Sequence, residues 1–330
     1  MTTTTTPGTG GPVEVMAPEA TTPRHWLSVD DAPASEILEL IDLAETHRKD
    51  SARFAGALGG KHAAMLFEKP SLRTRVSFEV GFSKLGAHGV YMDHGSERLG
   101  AREAVKDYAL NLERWVDVIV ARVFEHKTLE EMAAVASVPV VNALSDIEHP
   151  CQALADFQTI RQKLGTLEGV KVVWLGDGNN VCHSLMLGAA SLGVSMTVIT
   201  PKGFEPKFDI VRRALKASQH TAATIELTSD LAAVQGHHAV YTDKWISMGQ
   251  GHQTGLRNEA FEDFRVTAEL MESANKGIPG ETLFMHCLPA KRGEEVTDEV
   301  IDAPSSVVYD QAENRMHAQN ALLLRLFGVA

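Results

Sequence analysis

The segment around Ser71 combines the side chains that bind a phosphate group. Ser71 and Thr74 offer hydroxyl groups, and Arg73 and Arg75 offer planar guanidinium groups that can each hold two oxygens. The segment follows a predicted strand, and Pro70 before Ser71 is typical of a helix start, where free N–H groups favour an anion. The pattern indicates a phosphate site, although a capping serine and solvent-exposed arginines would give the same residues.

Polar residues also follow two later predicted strands at their carboxyl ends. Asp243 precedes Ser247 by four positions, and Cys287 follows His286. A carboxylate with hydroxyl and amide groups nearby suits an ammonium group beside a carboxylate, as in an amino acid. Alternatively, Asp243 caps a turn and Cys287 is a buried structural thiol. Because open α/β sheets bind ligands at their carboxyl edge, we expect a small-molecule site there.

The turn 176–180, Gly-Asp-Gly-Asn-Asn, resembles a dinucleotide-binding fingerprint but departs from it twice. The third glycine position is Val181, and the next predicted strand ends without an acidic residue that could hold a ribose hydroxyl. The sequence therefore disfavours a dehydrogenase. It predicts instead an amide-bearing loop, including Asn180, at the end of a strand.

Short β-branched runs alternate with helical patterns from Trp26 onward, which predicts an α/β protein with parallel sheets flanked by helices. A predicted helix at 150–164, ending at Gly165, lies between two such runs and connects two domains that face a shared cleft. Strands are predicted at 62–67, 89–93, 116–123, 138–142, 170–175, 195–199, 224–227, 239–242, 282–286 and 307–309. In the first half, helices are predicted at 34–54, 72–85, 102–114 and 127–136.

Composition narrows the class of protein. The 330 residues are 44% hydrophobic, enough for two cores. The 31 basic and 43 acidic residues give a net charge of -12, which disfavours nucleic acid and anionic membranes. Because no run approaches the roughly 20 apolar residues of a membrane helix, we expect a cytoplasmic protein. The three cysteines, far apart, are expected to be free thiols, and the Thr-rich residues 1–22 a disordered tail.

Several motifs resemble those of the aspartate and ornithine carbamoyltransferases, in that family's order from about Trp26 to Phe327. Residues 71–75 resemble the Ser-x-Arg-Thr-Arg loop that holds the phosphate of carbamoyl phosphate, and residues 149–152 resemble the His-Pro-x-Gln motif. Residues 243–249 resemble the ornithine branch's Asp-x-x-x-Ser-Met-Gly motif. Residues 286–289, His-Cys-Leu-Pro, carry cysteine where the aspartate branch has leucine, which favours ornithine as the substrate.

The resemblance implies transfer of the carbamoyl group to the side-chain amine of ornithine, with no metal or organic cofactor. An oxyanion would form opposite Thr74, Arg122, His149 and Gln152, and Asp243 and Cys287 would be proton-accepting neighbours of the amine. By resemblance the catalytic residues are Cys287, Arg122, His149 and Asp243. Carbamoyl phosphate would contact Ser71, Leu72, Arg73, Thr74, Arg98, Arg122, His149, Gln152, Cys287, Leu288 and Arg315. Ornithine would contact Asn180, Asp243, Ser247 and Met248.

The resemblance also implies a carbamoyl phosphate domain at 23–153, an ornithine domain at 154–330, and a homotrimer or a multiple of trimers. A loop around Arg98 would complete the neighbouring chain's site, although Arg98 could equally form a surface ion pair. The alternatives are a carbamoyltransferase for putrescine, agmatine or an N-acylornithine, or a sensor that binds carbamoyl phosphate without turnover.

Overall fold

A computed structural model describes residues 24–95, 97–246 and 254–330, and the side chains within these ranges except those of 254–256. The first described sheet has the strand order β2-β1-β3-β4 and the second β7-β6-β5-β8-β9, and every strand pair in them is parallel. The strands are β1 (His62–Phe67), β2 (His88–Asp93), β3 (Val118–Arg122), β4 (Val140–Leu144), β5 (Lys171–Leu175), β6 (Ser195–Ile199), β7 (Ile225–Thr228), β8 (Ala239–Thr242) and β9 (Leu283–His286).

Helices cover these sheets, which leaves the central strands almost entirely buried, as parallel sheets require. In chain order the helices are α1 (Ala34–Lys49), α2 (Leu72–Leu85), α3 (Val105–Leu112), α4 (His126–Ala133), α5 (Pro150–Leu164), α6 (Asn180–Leu192), α7 (Phe208–Ser218), α8 (Thr254–Phe261), α9 (Ala268–Ala274), α10 (Asp298–Ile301) and α11 (Val308–Leu326). Among the described residues, no helix combines the length and the apolar character needed to cross a membrane.

Helix α5 connects the two sheets, and its first eleven residues are all buried. It ends at Gly165, whose φ of +79° is a left-handed conformation that glycine adopts readily at a helix end. The last helix, α11, returns to pack against α1, α2 and α5. The predicted domain boundary at 153/154 falls within α5, so no loop separates the two predicted domains at that position.

The α/β class and the two parallel sheets are confirmed, and β1, β6, β8, α2 and α5 have the bounds that the sequence predicted. The predicted strand at 307–309 is wrong. A single isolated bridge joins Ser306 to Phe284, and α11 begins at Val308, within the predicted strand. Three β-branched or aromatic residues favour a strand locally, but here they begin a long buried helix.

The strand registers bring the predicted site segments together. In the first sheet Phe67 is opposite Arg122, and Arg122 is opposite Leu144. The neighbouring strands β1, β3 and β4 therefore end at the same edge of the sheet. In the second sheet Leu175 is opposite Thr242, and Thr242 is opposite His286. The loops that begin at residues 68, 123, 145, 176, 243 and 287 therefore lie at the carboxyl edges of their sheets.

Candidate active site

A cavity of about 1050 Å³ lies between these two carboxyl edges and is lined by both halves of the chain. Most of the residues that the motifs selected line it. They are Ser71, Leu72, Arg73, Arg122, His149, Asn180, Asp243, Cys287, Leu288 and Arg315.

The start of α2 forms one end of the cavity. Ser71 is the N-cap, and its hydroxyl accepts a hydrogen bond from the Thr74 N–H at 3.3 Å. The fully buried Thr74 hydroxyl accepts from Arg122 at 3.3 Å and from Arg315 at 2.8 Å. Thr74 thus fixes two guanidinium groups from distant elements beside a helix N-terminus, where backbone N–H groups also favour an anion.

Positive charge accumulates at this end. Burial lowers the pKa of Arg73, Arg122 and Arg315. The charge of Arg315 lowers the pKa of Arg122 further, and the charge of Arg73 lowers the pKa of both. Like charges crowded in a poorly solvated cavity are stabilised when an anion enters, so this end is suited to a phosphate.

His149 lies beside these cations as a neutral imidazole. Burial, followed by the charges of Arg315 and Arg122, lowers the pKa of His149 well below its ordinary value. A neutral imidazole carries one N–H and one acceptor nitrogen, and the His149 Nδ1 is buried with no partner among the described residues. His149 can therefore hydrogen-bond to a polar group of a small molecule without adding another charge.

Gln152 is buried one turn further along α5 and does not line the cavity. Its Nε2 donates to the Asp156 carboxylate at 2.8 Å, which leaves its Oε1 without a partner among the described residues. Asp156 also accepts from Tyr241 of β8 and Gln311 of α11. The Asp156 carboxylate thus joins the first half of the chain to the second behind the cavity.

A carboxylate on the second half of the chain also lines the cavity. Asp243 follows β8, and its Oδ2 accepts from the Asn179 amide at 2.8 Å. Its Oδ1 accepts from the Cys287 thiol at 3.1 Å. Burial and the neighbouring Asp243 raise the pKa of Cys287 well above its ordinary value, so the thiol keeps its proton. Of the two proton-accepting neighbours that the sequence predicted, Cys287 is therefore a hydrogen-bond donor, and the Asp243 carboxylate is its acceptor.

A strained turn follows β9. Leu288 has φ +58°, and among the described residues it is the only non-glycine with a positive φ. Its N–H donates to His286 Nδ1 at 2.8 Å, while His286 Nε2 lies 3.2 Å from the buried Glu295 carboxylate. The Glu295 side chain also accepts from the Lys291 N–H at 2.6 Å. The His286–Glu295 pair therefore holds the turn that carries Leu288 into the cavity wall.

Asp243, His286 and Cys287 each place one potential metal-ligand atom within 4.8 Å of the others. Both ring nitrogens of His286 are engaged within the turn, and the Cys287 thiol is protonated. A metal ion would have to break these contacts to bind, so the arrangement fits hydrogen bonding better than metal coordination.

Comparison with known proteins agrees with this geometry. The family model described as the aspartate/ornithine carbamoyltransferase carbamoyl-P binding domain matches residues 24–162. The model described as the Asp/Orn binding domain of the same family matches residues 168–326. The chain belongs to the aspartate/ornithine carbamoyltransferase family.

Relatives cover nearly the whole chain. An ornithine carbamoyltransferase from Shewanella oneidensis is 48% identical over 92% of this chain and 99% of its own length. One from Pyrococcus abyssi is 50% identical over 92% of this chain and 96% of its own. The solved structure of ornithine carbamoyltransferase from Pyrococcus furiosus matches with a TM-score of 0.87 at 46% identity, covering 92% of this chain and 96% of that chain.

Some residues predicted from the carbamoyltransferase motifs lie elsewhere. Arg75 stacks on Tyr91, with its guanidinium carbon 3.8 Å from the ring centre, and pairs with Glu79, so it does not line the cavity.

Arg98 pairs with Glu125 at 2.7 Å and borders a separate, smaller hollow. Its contact with a neighbouring chain's site stays a prediction. Ser247 and Met248 lie outside the described residues.

Sequence reasoning missed several residues of the carbamoyltransferase cavity. Asn179, which contacts Asp243, also caps α6, and the preference of asparagine for that position was the signal that could have found it. Arg257 pairs with Asp177 at 2.8 Å and donates to the Trp245 carbonyl at 2.7 Å. No motif pointed to Arg257, because its partners come from distant parts of the chain. Lys69 also lines the cavity.

Proposed function

We propose that this protein transfers the carbamoyl group of carbamoyl phosphate to the side-chain amine of L-ornithine, giving L-citrulline and phosphate. The observation that carries the proposal is the pairing within one cavity of a three-arginine end with a carboxylate end. The first suits a phosphate and the second suits an ammonium group. The names of close relatives support ornithine as the amine.

We assign binding of the phosphate of carbamoyl phosphate to Ser71, Leu72, Arg73, Thr74 and Arg315. Arg122 and the neutral His149 face the carbamoyl group, where they stabilise the oxyanion that forms as the amine attacks. Gln152 lies behind the cavity wall, with its Nε2 held by Asp156, and its Oε1 has no partner among the described residues. This oxygen would accept from the carbamoyl N–H once the two halves of the chain close on the substrate. Leu288 and Cys287 close the cavity on the opposite side, and Arg98 would act from a neighbouring chain.

Binding and deprotonation of the amine substrate depend on Asp243 and Asn180. Ornithine's side-chain amine should titrate near pKa ~10.4, so freeing its lone pair near neutral pH costs roughly 4 kcal/mol. A desolvated cavity with Asp243 as the proton-accepting group lowers this cost. Asn180, Ser247 and Met248 would hold the α-amino and α-carboxylate groups. Closure of the two halves would then exclude water and align the two substrates.

We further propose a homotrimer or a multiple of trimers in the cytoplasm, with domains at 23–153 and 154–330 after a tail at 1–22. Leu72, Val76 and Val80 form an apolar stripe along α2, with exposed fractions of 73%, 46% and 41%. Val90 adds a further exposed apolar side chain, 45% exposed, on β2. Such a stripe beside the cavity fits burial against a second copy of the chain.

Steady-state assays with carbamoyl phosphate and each candidate amine test the proposal. We expect ornithine to give a far higher kcat/KM than putrescine, agmatine or N-acetylornithine, with citrulline as the product. A higher kcat/KM for putrescine would assign the enzyme to another amine. Binding of carbamoyl phosphate without product from any of these amines would support the sensor alternative.

A further inference from the structure

Lys69 places an amine in the wall of the cavity, two residues before the phosphate-binding Ser71. Lys69 is 7% exposed, and it lines the cavity together with Arg73, Arg122 and His149. The Nζ lies 4.5 Å from the ring centre of Phe124, in a cation–π contact. Among the described residues, no carboxylate oxygen lies within ion-pair distance of this amine.

Although the cation–π contact stabilises the charged amine, the environment as a whole raises the fraction that is neutral and nucleophilic. Burial is the main cause that lowers the pKa of Lys69 to about 8, and the nearby Arg122 lowers it further. At pH 8 about half of the Lys69 amines are then neutral, against fewer than about one in 10² for an ordinary lysine. The other charges that act on it are Asp146 and Glu68, which raise the pKa, and Arg98, which lowers it.

We infer that Lys69 is a site of self-carbamoylation by carbamoyl phosphate bound in this cavity when the amine substrate is absent. The inference rests on the proposed function, because it needs carbamoyl phosphate in the cavity. The Lys69 nitrogen forms a bond to the carbamoyl carbon, and the bond from that carbon to the phosphate oxygen breaks. Its electron pair leaves with phosphate, which also takes up the proton lost by the nitrogen. The product is a side-chain carbamoyl-lysine plus phosphate.

Carbamoylation converts a cation at the phosphate end into a neutral, bulkier group. The modified chain should bind carbamoyl phosphate more weakly, because one positive charge is lost and the bulkier side chain narrows the cavity beside Ser71. Ornithine should protect Lys69, because it consumes the bound donor. The modification would therefore reduce activity when carbamoyl phosphate accumulates without ornithine.

Peptide mass spectrometry of the full-length wild-type protein, incubated at pH 8 with carbamoyl phosphate alone, tests the inference. Lys127, whose side chain is 76% exposed, is the internal reference. We expect Lys69 to gain a carbamoyl group at least about 10-fold faster than Lys127, given its larger neutral fraction. Equal or slower labelling of Lys69 would overturn the inference.

Cyanate, which carbamoyl phosphate releases in solution, is the second source of the same carbamoyl group. A parallel incubation with potassium cyanate at the same concentration should label Lys69 more slowly than carbamoyl phosphate does. If cyanate labels Lys69 as fast, the donor is not the bound molecule and the inference fails. Because labelling requires no ornithine, it is scored separately from citrulline formation, and an active preparation with unlabelled Lys69 contradicts only this inference.

Two variants connect the modification to activity. Lys69→Arg keeps a positive charge but has no reactive amine, so its activity should not decline during preincubation with carbamoyl phosphate, whereas wild-type activity should. Lys69→Gln resembles the carbamoylated state in charge and should have a higher KM for carbamoyl phosphate than Lys69→Arg. A decline in Lys69→Arg equal to that of the wild type would refute the assignment.

Discussion

At the scale of single residues, the charges in the cavity are set by which side chains keep their protons. Burial raises the pKa of Cys287 and lowers the pKa of His149, so both are neutral near pH 7. Arg73, Arg122 and Arg315 are among the cations that line the cavity, and Asp243 is among its carboxylates. Binding of carbamoyl phosphate should therefore depend on the arginines, whereas removal of the proton from the ornithine amine should depend on Asp243.

Arg73→Ala should abolish most turnover by weakening carbamoyl phosphate binding. Removing a charged donor to a phosphate costs about 1.5–3 kcal/mol or more, which corresponds to a rise in KM of roughly 10-fold to 10²-fold. Arg75→Ala, two positions away but outside the cavity wall, is the matched comparison and should raise KM far less. Equal effects of the two variants in steady-state assays would contradict the assignment of Arg73.

Cys287→Ser should reduce kcat with ornithine and leave the fold unchanged. The C–O bond of serine is shorter than the C–S bond of cysteine. The substitution therefore alters the contact that orients the Asp243 carboxylate, whose Oδ1 lies 3.1 Å from the Cys287 sulfur. Cys182→Ser, at a buried thiol in α6 that does not line the cavity, controls for the loss of a thiol. Wild-type kinetics in Cys287→Ser would show that the Cys287 thiol has only a structural role.

At the scale of elements, the parallel registers bring the ends of strands together, and the loops after them supply the chemistry. Among the described residues, the turn after β9 carries the only non-glycine residue with a positive φ. Its backbone conformation at Leu288 is unfavourable for a leucine, so neighbouring contacts must hold it. The buried His286–Glu295 pair provides those contacts.

Glu295→Gln should lower kcat by about 10-fold or more, because a charged hydrogen bond that fixes His286, and through it the Leu288 N–H, is weakened. The KM for ornithine should change less than kcat. Glu294→Gln is the control, since the Glu294 side chain forms an exposed pair with Lys291 and, among the described residues, does not contact His286. A Glu295→Gln enzyme with unchanged kcat but a lower melting temperature would assign the pair a purely structural role.

At the scale of the whole molecule, a buried network outside the cavity joins the two halves. The Glu148 carboxylate accepts from the Val29 N–H and the Ser184 hydroxyl, each at 3.1 Å, and it contacts Ser28 and Arg213 as well. Arg213 also pairs with Asp30. Because Glu148 precedes His149, this network ties both halves of the chain to the backbone beside the candidate active site.

This network should make stability depend on pH. Burial raises the pKa of Glu148 to about 7 from an ordinary value near 4.5. The folded chain therefore binds a proton there more tightly than the unfolded chain does, and the resulting stability is present below pH ~4.5 and lost as pH rises through 7. The loss amounts to about 3 kcal/mol at most.

Glu148→Gln should remove this dependence. The fall in melting temperature between pH 5 and pH 8, measured by calorimetry, should be smaller in the variant than in the wild type, because glutamine does not titrate. Asp146→Asn, at a partly exposed carboxylate in the same loop, is the control and should keep the wild-type slope. Identical slopes in Glu148→Gln and the wild type would show that Glu148 does not titrate in this range.

Assembly should depend on the apolar stripe of α2. Val76→Asp places a charge in its centre, so sedimentation velocity should detect a shift from trimer towards monomer together with a loss of activity. Val329→Asp, at a similarly exposed valine near the C-terminus, is the matched control. A Val76→Asp protein that keeps the wild-type sedimentation coefficient would mean that the stripe is not the interface.

The sequence by itself determined the α/β class, most strand positions and the family motifs. Burial periodicity, turn residues and motif spacing are local properties, and for this reason residues 71–74, 149 and 243 could be selected as site residues without a structure. Ser71 as a helix cap and Asp243 at a strand end follow from the same local rules.

Only the tertiary structure decided which of these side chains share a cavity and in which protonation state. Arg73 faces the cavity while Arg75 packs on Tyr91, a difference set by how α2 lies against β2. The protonated Cys287 and the Arg257–Asp177 pair depend on burial by residues distant in sequence. Desolvation and long-range contacts arise from packing of the whole chain, and no local pattern encodes them.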